Sequence, residues 1–139
     1  MSSIGERDQL TFAVIGAAIE VHKHVGPGLL ESVYAACMEH ELSLRNLDFQ
    51  RETELPVCYK GVNVTSNLRA DLIVENALIV ELKCVGKLEP VHKAQLLSYL
   101  RMTGLSRGLL INFNVAVLRD GIHRVANNYD IGNARRDQA

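Results

Sequence analysis

Residues 71–83 read DLIVENALIVELK, two apolar runs on either side of the turn pair Glu75-Asn76, interrupted by Asp71, Glu81 and Lys83. Runs this short and this rich in Ile and Val predict adjacent antiparallel strands. Side chains alternate along a strand, so Glu81 and Lys83 share one face with Ile79 and Val85, while Leu78, Val80 and Leu82 fill the other. A strand that is apolar on both faces is covered on both, and unpaired charge buried there costs several kcal/mol or is neutralised. The stretch therefore sets two constraints. Layers must cover the sheet on each side, and the three charges need partners.

The loop length decides whether they can meet. A two-residue Glu75-Asn76 loop sets Asp71 opposite Val80, whereas a three-residue loop, Glu75-Asn76-Ala77, sets Asp71 opposite Glu81 and on its face. The second register, or an equivalent bulge, is the one expected, with Asn76 suited to the left-handed conformation such loops use. Two carboxylates converging from adjacent strands form a hard-oxygen site for Mg²⁺ or Mn²⁺, with water completing the shell. Beside it Lys83 could orient an attacking water and offset negative charge on a phosphoryl group. A structural Asp-Lys-Glu ion cluster explains the same triple, and taken alone the triple favours it.

The flanking sequence supplies the covering layers. Apolar residues at helical spacing predict a helix over 8–25, stopped by Gly26-Pro27-Gly28, and a second over 29–47. A β-like segment follows with Phe49, Arg51, Thr53 and Leu55 on one side and Pro56 at an edge. Lys60-Gly61 reads as a turn, 91–103 as a helix closed by Gly104, and 108–113 as a strand. Asp120-Gly121 predicts a closing hairpin between 115–118 and 122–125. The order is helix, helix, three antiparallel strands, helix, strand, hairpin, an α/β layer arrangement.

Both later helices carry polar residues at the margin of an apolar face. Glu31 lies there on the second helix with Tyr34 three residues on, although a carboxylate is also favoured at a helix start by the dipole. On the third, His92, Gln95, Tyr99 and Met102 fall at helical spacing, so Gln95 and Tyr99 could bond water, carboxylate or phosphate; an ordinary polar stripe has the same pattern. His22 and His24, two apart, do not face each other and suit a helix surface or end. Cys84 points with Leu82 and Val80, as a packed thiol.

With 139 residues, 47% of them hydrophobic, the chain is long enough for one domain with a core, taken as 1–128, followed by a polar, loosely ordered tail at 129–139. Its three cysteines lack any Cys-x-x-Cys pair, which argues against a disulfide framework or a structural zinc site and for the cytoplasm. No apolar run reaches a membrane span. A net charge of −1 gives no general field for nucleic acid, so phosphate contacts would need a local strip such as Lys83, Lys87, Lys93, Arg101 and Arg107, or help from a homodimer or protein partner.

Taken together, GLLESVY at 28–34, Asp71, the Glu81-Leu82-Lys83 triplet, and Gln95 with Tyr99 resemble the GxxExxY family of the PD-(D/E)XK nuclease superfamily, and in the same order. The resemblance runs from the first helix through Ile111-Asn112-Phe113. It implies a restriction-endonuclease-like core and a metal-dependent nuclease acting on nucleic acid, most plausibly DNA. It further implies Asp71, Glu81, the Leu82 carbonyl and Glu31 as metal ligands and Lys83 as catalytic lysine. Gln95 completes the catalytic set, with Tyr34, His92, Tyr99, Lys87, Lys93 and Arg101 toward substrate. Ala70 stands where many members have proline. A catalytically inactive module that binds nucleic acid or protein, and a structural oligomerisation domain, are the competing readings.

Overall fold

The computed structural model describes residues 3–64 and 67–127, so the expected tail at 129–139 lies outside the described residues. The chain runs α1 (Ser3–Val25), α2 (Glu31–Leu44), β1 (Phe49–Glu54), β2 (Val57–Tyr59), β3 (Val62–Val64), β4 (Arg69–Val74), β5 (Leu78–Lys83), α3 (Pro90–Thr103), β6 (Arg107–Asn112) and, after a 3-10 turn at Leu118–Gly121, β7 (Ile122–Ala126). Five strands form one mixed sheet in the order β1-β4-β5-β6-β7, and β2-β3 stand apart as a ribbon. Among the described strands only β5 and β6 are parallel neighbours, and α3 is the crossover that parallel neighbours require. This is a restriction-endonuclease-like α/β architecture, as expected.

The doubly apolar strands are covered on both faces. Val14, Ala17 and Val21 of α1 and Tyr34, Met38 and Leu42 of α2 pack on Leu72, Val80, Leu82 and Ile111. Opposite them, Leu96, Tyr99 and Leu100 of α3 pack on Ile73, Ile79 and Leu110. The α3 layer sits close to the sheet because residue 108 is glycine: a Cβ there would stand 2.9 Å from Leu96 Cδ1. Gly104 ends α3 in the left-handed conformation, its N–H donating to the Leu100 carbonyl at 2.9 Å.

Two expectations need correction, and a third holds in part. Phe49 and Leu55 do not share a side: Phe49 packs with the α1/α2 core and Leu55 with the α3 core, because Glu52 between them has φ +47° and rolls the strand. The closing hairpin is replaced by the 3-10 turn, and β7 pairs antiparallel with β6 instead of with 115–118. Gly121 is spent on a close approach there, since a Cβ would fall 2.1 Å from the Asn112 carbonyl oxygen. His22 does lie in the last turn of α1, but it is buried, its Nε2 2.9 Å from the Val115 carbonyl oxygen, and so joins α1 to the segment that leads into that turn.

Candidate active site

The β4-β5 loop has three residues, as parity requires. The pairs Val74↔Leu78, Ile73↔Ile79 and Leu72↔Val80 fix the register, and its next step sets Asp71 opposite Glu81. Glu75 and Asn76 both have φ +53°, where only Asn76 was expected to. The unfavourable Glu75 conformation is held by Asp48: the Glu75 N–H donates to the Asp48 carbonyl at 2.8 Å, and the Asp48 N–H donates to Glu75 Oε2 at 2.6 Å.

Beyond Leu72↔Val80 the carboxylates replace the ladder. The Asp71 N–H donates to Glu81 Oε2 at 2.7 Å, and the Leu82 N–H donates to Asp71 Oδ2 at 2.8 Å. The second oxygen of each accepts no hydrogen bond among the described residues. Asp71 is also where β4 rolls, for Ala70 packs with the α3 cluster and Leu72 with the α1/α2 cluster. Glu52, the rolled residue of β1, falls opposite Asp71, between the pairs Arg51↔Leu72 and Thr53↔Ala70.

Electrostatics tie Glu31, Asp71, Glu81 and Lys83 together. Burial, then the Asp71 charge, pushes Glu81 up to about 8, against the Asp71 N–H and Lys83. Asp71 is raised by burial and, less, by Glu52, against the Leu82 N–H and Lys83. Glu31 is raised by burial and by Asp71, while Lys83 and His92 oppose the shift. Lys83 thus acts on all three carboxylates, yet forms no direct ion pair with any of them among the described residues. A structural ion cluster would show those pairs; here backbone N–H groups hold the acids instead.

The strand behind Lys83 is fixed by a residue for which sequence reasoning had no role. Asn112, opposite Lys83 in the parallel β5-β6 register, accepts from the Val85 N–H at 3.1 Å and donates to the Val85 carbonyl at 2.9 Å. The available signal was a polar residue inside the apolar run GLLINF.

The helix residues divide. Tyr99 is buried, and its hydroxyl is raised by burial and then by Glu81 and Asp71, so it faces the site. His92 lies near enough to lower Glu31 and accepts the Glu89 N–H at Nδ1 (2.9 Å). Gln95 is exposed one turn before Tyr99. Tyr34 is fully buried, stacked on Phe113 with centroids 4.4 Å apart, and its hydroxyl bonds the Gly26 carbonyl and the Leu29 N–H. It anchors the loop that leads into α2 at Glu31 and has no surface to offer substrate.

The cationic strip is not assembled. Arg107 pairs with Leu78, at the far end of β5 from Lys83, because β5 and β6 are parallel. Arg101 lies in the last turn of α3, and the charge of Lys93 is felt by His123 of β7. Lys87 is exposed in the segment after β5. Cys84 packs partly buried against the α1/α2 core, its thiol raised by burial and by Glu31.

Among the described residues no group of three or more His, Cys, Asp or Glu is disposed to hold a metal, so Glu31 does not join the pair directly. Asp71 and Glu81 remain as hard oxygen donors, the type that divalent cations accept. No described helix is long and apolar enough to cross a membrane.

Residues 8–125 match the family model of the PD-(D/E)XK nuclease superfamily, whose members typically use divalent metal ions. No curated protein and no solved structure matches the chain. The family match extends from α1 into β7 and includes the strand pair that carries Asp71, Glu81 and Lys83. The chain belongs to the PD-(D/E)XK nuclease superfamily.

Proposed function

We propose that the protein is a metal-dependent nuclease of the GxxExxY type that hydrolyses phosphodiester bonds in DNA. One observation carries the reading: Asp71 and Glu81 meet across β4 and β5 with one oxygen each held by backbone and the other open, beside a lysine that pairs with neither. Asp71, Glu81 and the Leu82 carbonyl would hold Mg²⁺ or Mn²⁺, with Glu31 acting through water. The ion would supply Lewis acidity and lower the pKa of a bound water.

The remaining work falls to the chain. The Lys83 ammonium orients the attacking water and offsets charge growing on the phosphoryl oxygens. Tyr99 borders the acids from α3, Gln95 one turn earlier would reach the substrate, and His92 keeps a second polar group near Glu31. Water oxygen bonds to phosphorus and gives up one proton to solvent, the bond to the leaving sugar oxygen breaks, and that oxygen takes a proton from solvent. The unit that does this is 1–128, and the cytoplasm as its compartment rests on three unpaired thiols.

A cleavage screen with Mn²⁺ over single-stranded, duplex and branched DNA and RNA tests the reading, with Lys83→Ala as control. Expected is cleavage by the wild type only. Titration calorimetry should show one Mn²⁺ site, retained in Lys83→Ala and lost in Asp71→Ala. Silence of both proteins on every substrate would remove the enzymatic reading, and a Mn²⁺ isotherm unchanged in Asp71→Ala would remove the metal site.

A further inference from the structure

The β2-β3 ribbon has an apolar side turned to solvent. Its two-residue turn, Lys60-Gly61, has φ +50° and +82°, the conformation that tight hairpins use. Val57 opposes Val64 and Tyr59 opposes Val62, and opposed residues point the same way, so these four share one face. Tyr59 and Val62 are each 61% exposed and Val64 42%. Lys60 Nζ stands 5.3 Å from the centre of the Tyr59 ring.

The ribbon lies at the site's end of the sheet. β1 ends, β4 begins and β5 ends there, since β4 is antiparallel to both neighbours. Val64 precedes Asp71 by seven residues, a reach of at most ~25 Å. A two-stranded ribbon is marginal in water by itself, and an exposed apolar face on one calls for a ligand.

We propose that this face seats unstacked bases of a single-stranded nucleic acid segment beside the scissile phosphate, with Tyr59 stacking on a base and Lys60 meeting a phosphate. For its ligand class the inference rests on the nuclease reading. A second copy of the chain is the other candidate occupant, but a stable dimer needs about 800 Å² from each partner, far more than four side chains provide. Arg107 lies at the far end of β5 from Lys83, so the cations are not gathered for many phosphate contacts; base contacts must contribute, and an aromatic ring with an adjacent cation makes them.

Fluorescence anisotropy in EDTA, where no cleavage occurs, tests this with labelled oligothymidylate and a blunt duplex. The wild type should prefer the single strand. Tyr59→Ala should weaken that binding about tenfold and leave duplex binding unchanged, Tyr59→Trp should retain it, and Lys60→Ala should reduce the salt slope by about one ion. Tyr59 is exposed, so an unchanged Tm will establish that the variants fold. Equal single-strand affinity in Tyr59→Ala, or no binding by the wild type, overturns the proposal. A dimer in sedimentation that dissociates in Tyr59→Ala overturns it too and assigns the face to a second copy. Mn²⁺-dependent hydrolysis of bis-para-nitrophenyl phosphate, too small to span ribbon and site, tests the nuclease reading separately. Its failure leaves the anisotropy result standing.

Discussion

Asp71 and Glu81 hold each other's strands: Glu81 Oε2 accepts the Asp71 N–H at 2.7 Å, and Asp71 Oδ2 accepts the Leu82 N–H at 2.8 Å. The crossed pair does the work of two ladder bonds at the point where β4 rolls. It also brings two acids together in a setting that disfavours their charge.

The first consequence is a pH dependence. Glu81 is pushed up to about 8 from the ordinary carboxylate value, so the fold favours its neutral form. A raised carboxylate contributes stability that is complete below its unfolded pKa and is lost as pH rises through the folded pKa. The metal-free protein should therefore lose Tm steadily from about pH 5 to about pH 9, with Asp71 adding in the same sense, and Glu81→Gln should flatten most of the slope. Mn²⁺ should raise Tm more near pH 8 than near pH 6, because the ligand must shed its proton first. Differential scanning calorimetry with and without Mn²⁺ reads both; a wild-type slope unchanged in Glu81→Gln would place the titrating group elsewhere.

Tyr34 separates a structural tyrosine from a substrate contact. Losing its hydroxyl leaves the Gly26 carbonyl and the Leu29 N–H without their partner while the stack on Phe113 survives. Tyr34→Phe should cost about 1–2 kcal/mol in urea denaturation. Its cleavage should fall through kcat, as Glu31 loses a fixed start to α2, with KM little changed. An altered KM at full stability would return Tyr34 to the substrate surface.

Much of this was legible in sequence, for identifiable reasons. Period-2 apolar runs and the parity of a three-residue loop were enough to bring Asp71 to Glu81, because one slipped residue would turn every side chain over. The covering helices followed from their 3.6-residue pattern. What escaped depends on contacts distant in sequence. Glu52 rolls β1 without a glycine to announce it, Asp120-Gly121 serves a close approach to Asn112 and not a hairpin, and Arg107 is carried away from Lys83 by a parallel pairing. Tyr34 sits one helical turn from Glu31, yet the Gly26-Pro27-Gly28 loop claims its hydroxyl.

Two glycines that a sequence treats alike should respond very differently. A Cβ on Gly121 would meet the backbone oxygen of Asn112 at 2.1 Å, whereas a Cβ on Gly108 would meet the end of the Leu96 side chain at 2.9 Å. Backbone cannot yield and a leucine rotamer can. Gly108→Ala should cost about 1–3 kcal/mol by overpacking. Gly121→Ala should cost more than that and separate β7 from β6, visible as lost amide protection in 107–111. Equal stability of the two variants would show that the 118–121 turn shifts freely.

Asn112 offers the sharpest test of how Lys83 is held. Its side chain makes three bonds: it accepts from the N–H groups of Val85 and Asn114 at 3.1 and 3.2 Å and donates to the Val85 carbonyl at 2.9 Å. Asn112→Leu keeps the volume but strands both backbone groups of half-buried Val85 and the Asn114 N–H, a loss of about 2–4 kcal/mol. Asn112→Asp keeps the acceptor and loses the donor, so it should lie between. Because the chain just beyond Lys83 then frays, kcat should fall in the same order while Mn²⁺ affinity, set by Asp71 and Glu81, stays near wild type. Hydrogen exchange at Val85 should rise with the loss of kcat across the series. A variant that loses Val85 protection and keeps full kcat would show that Lys83 is positioned by β5 alone.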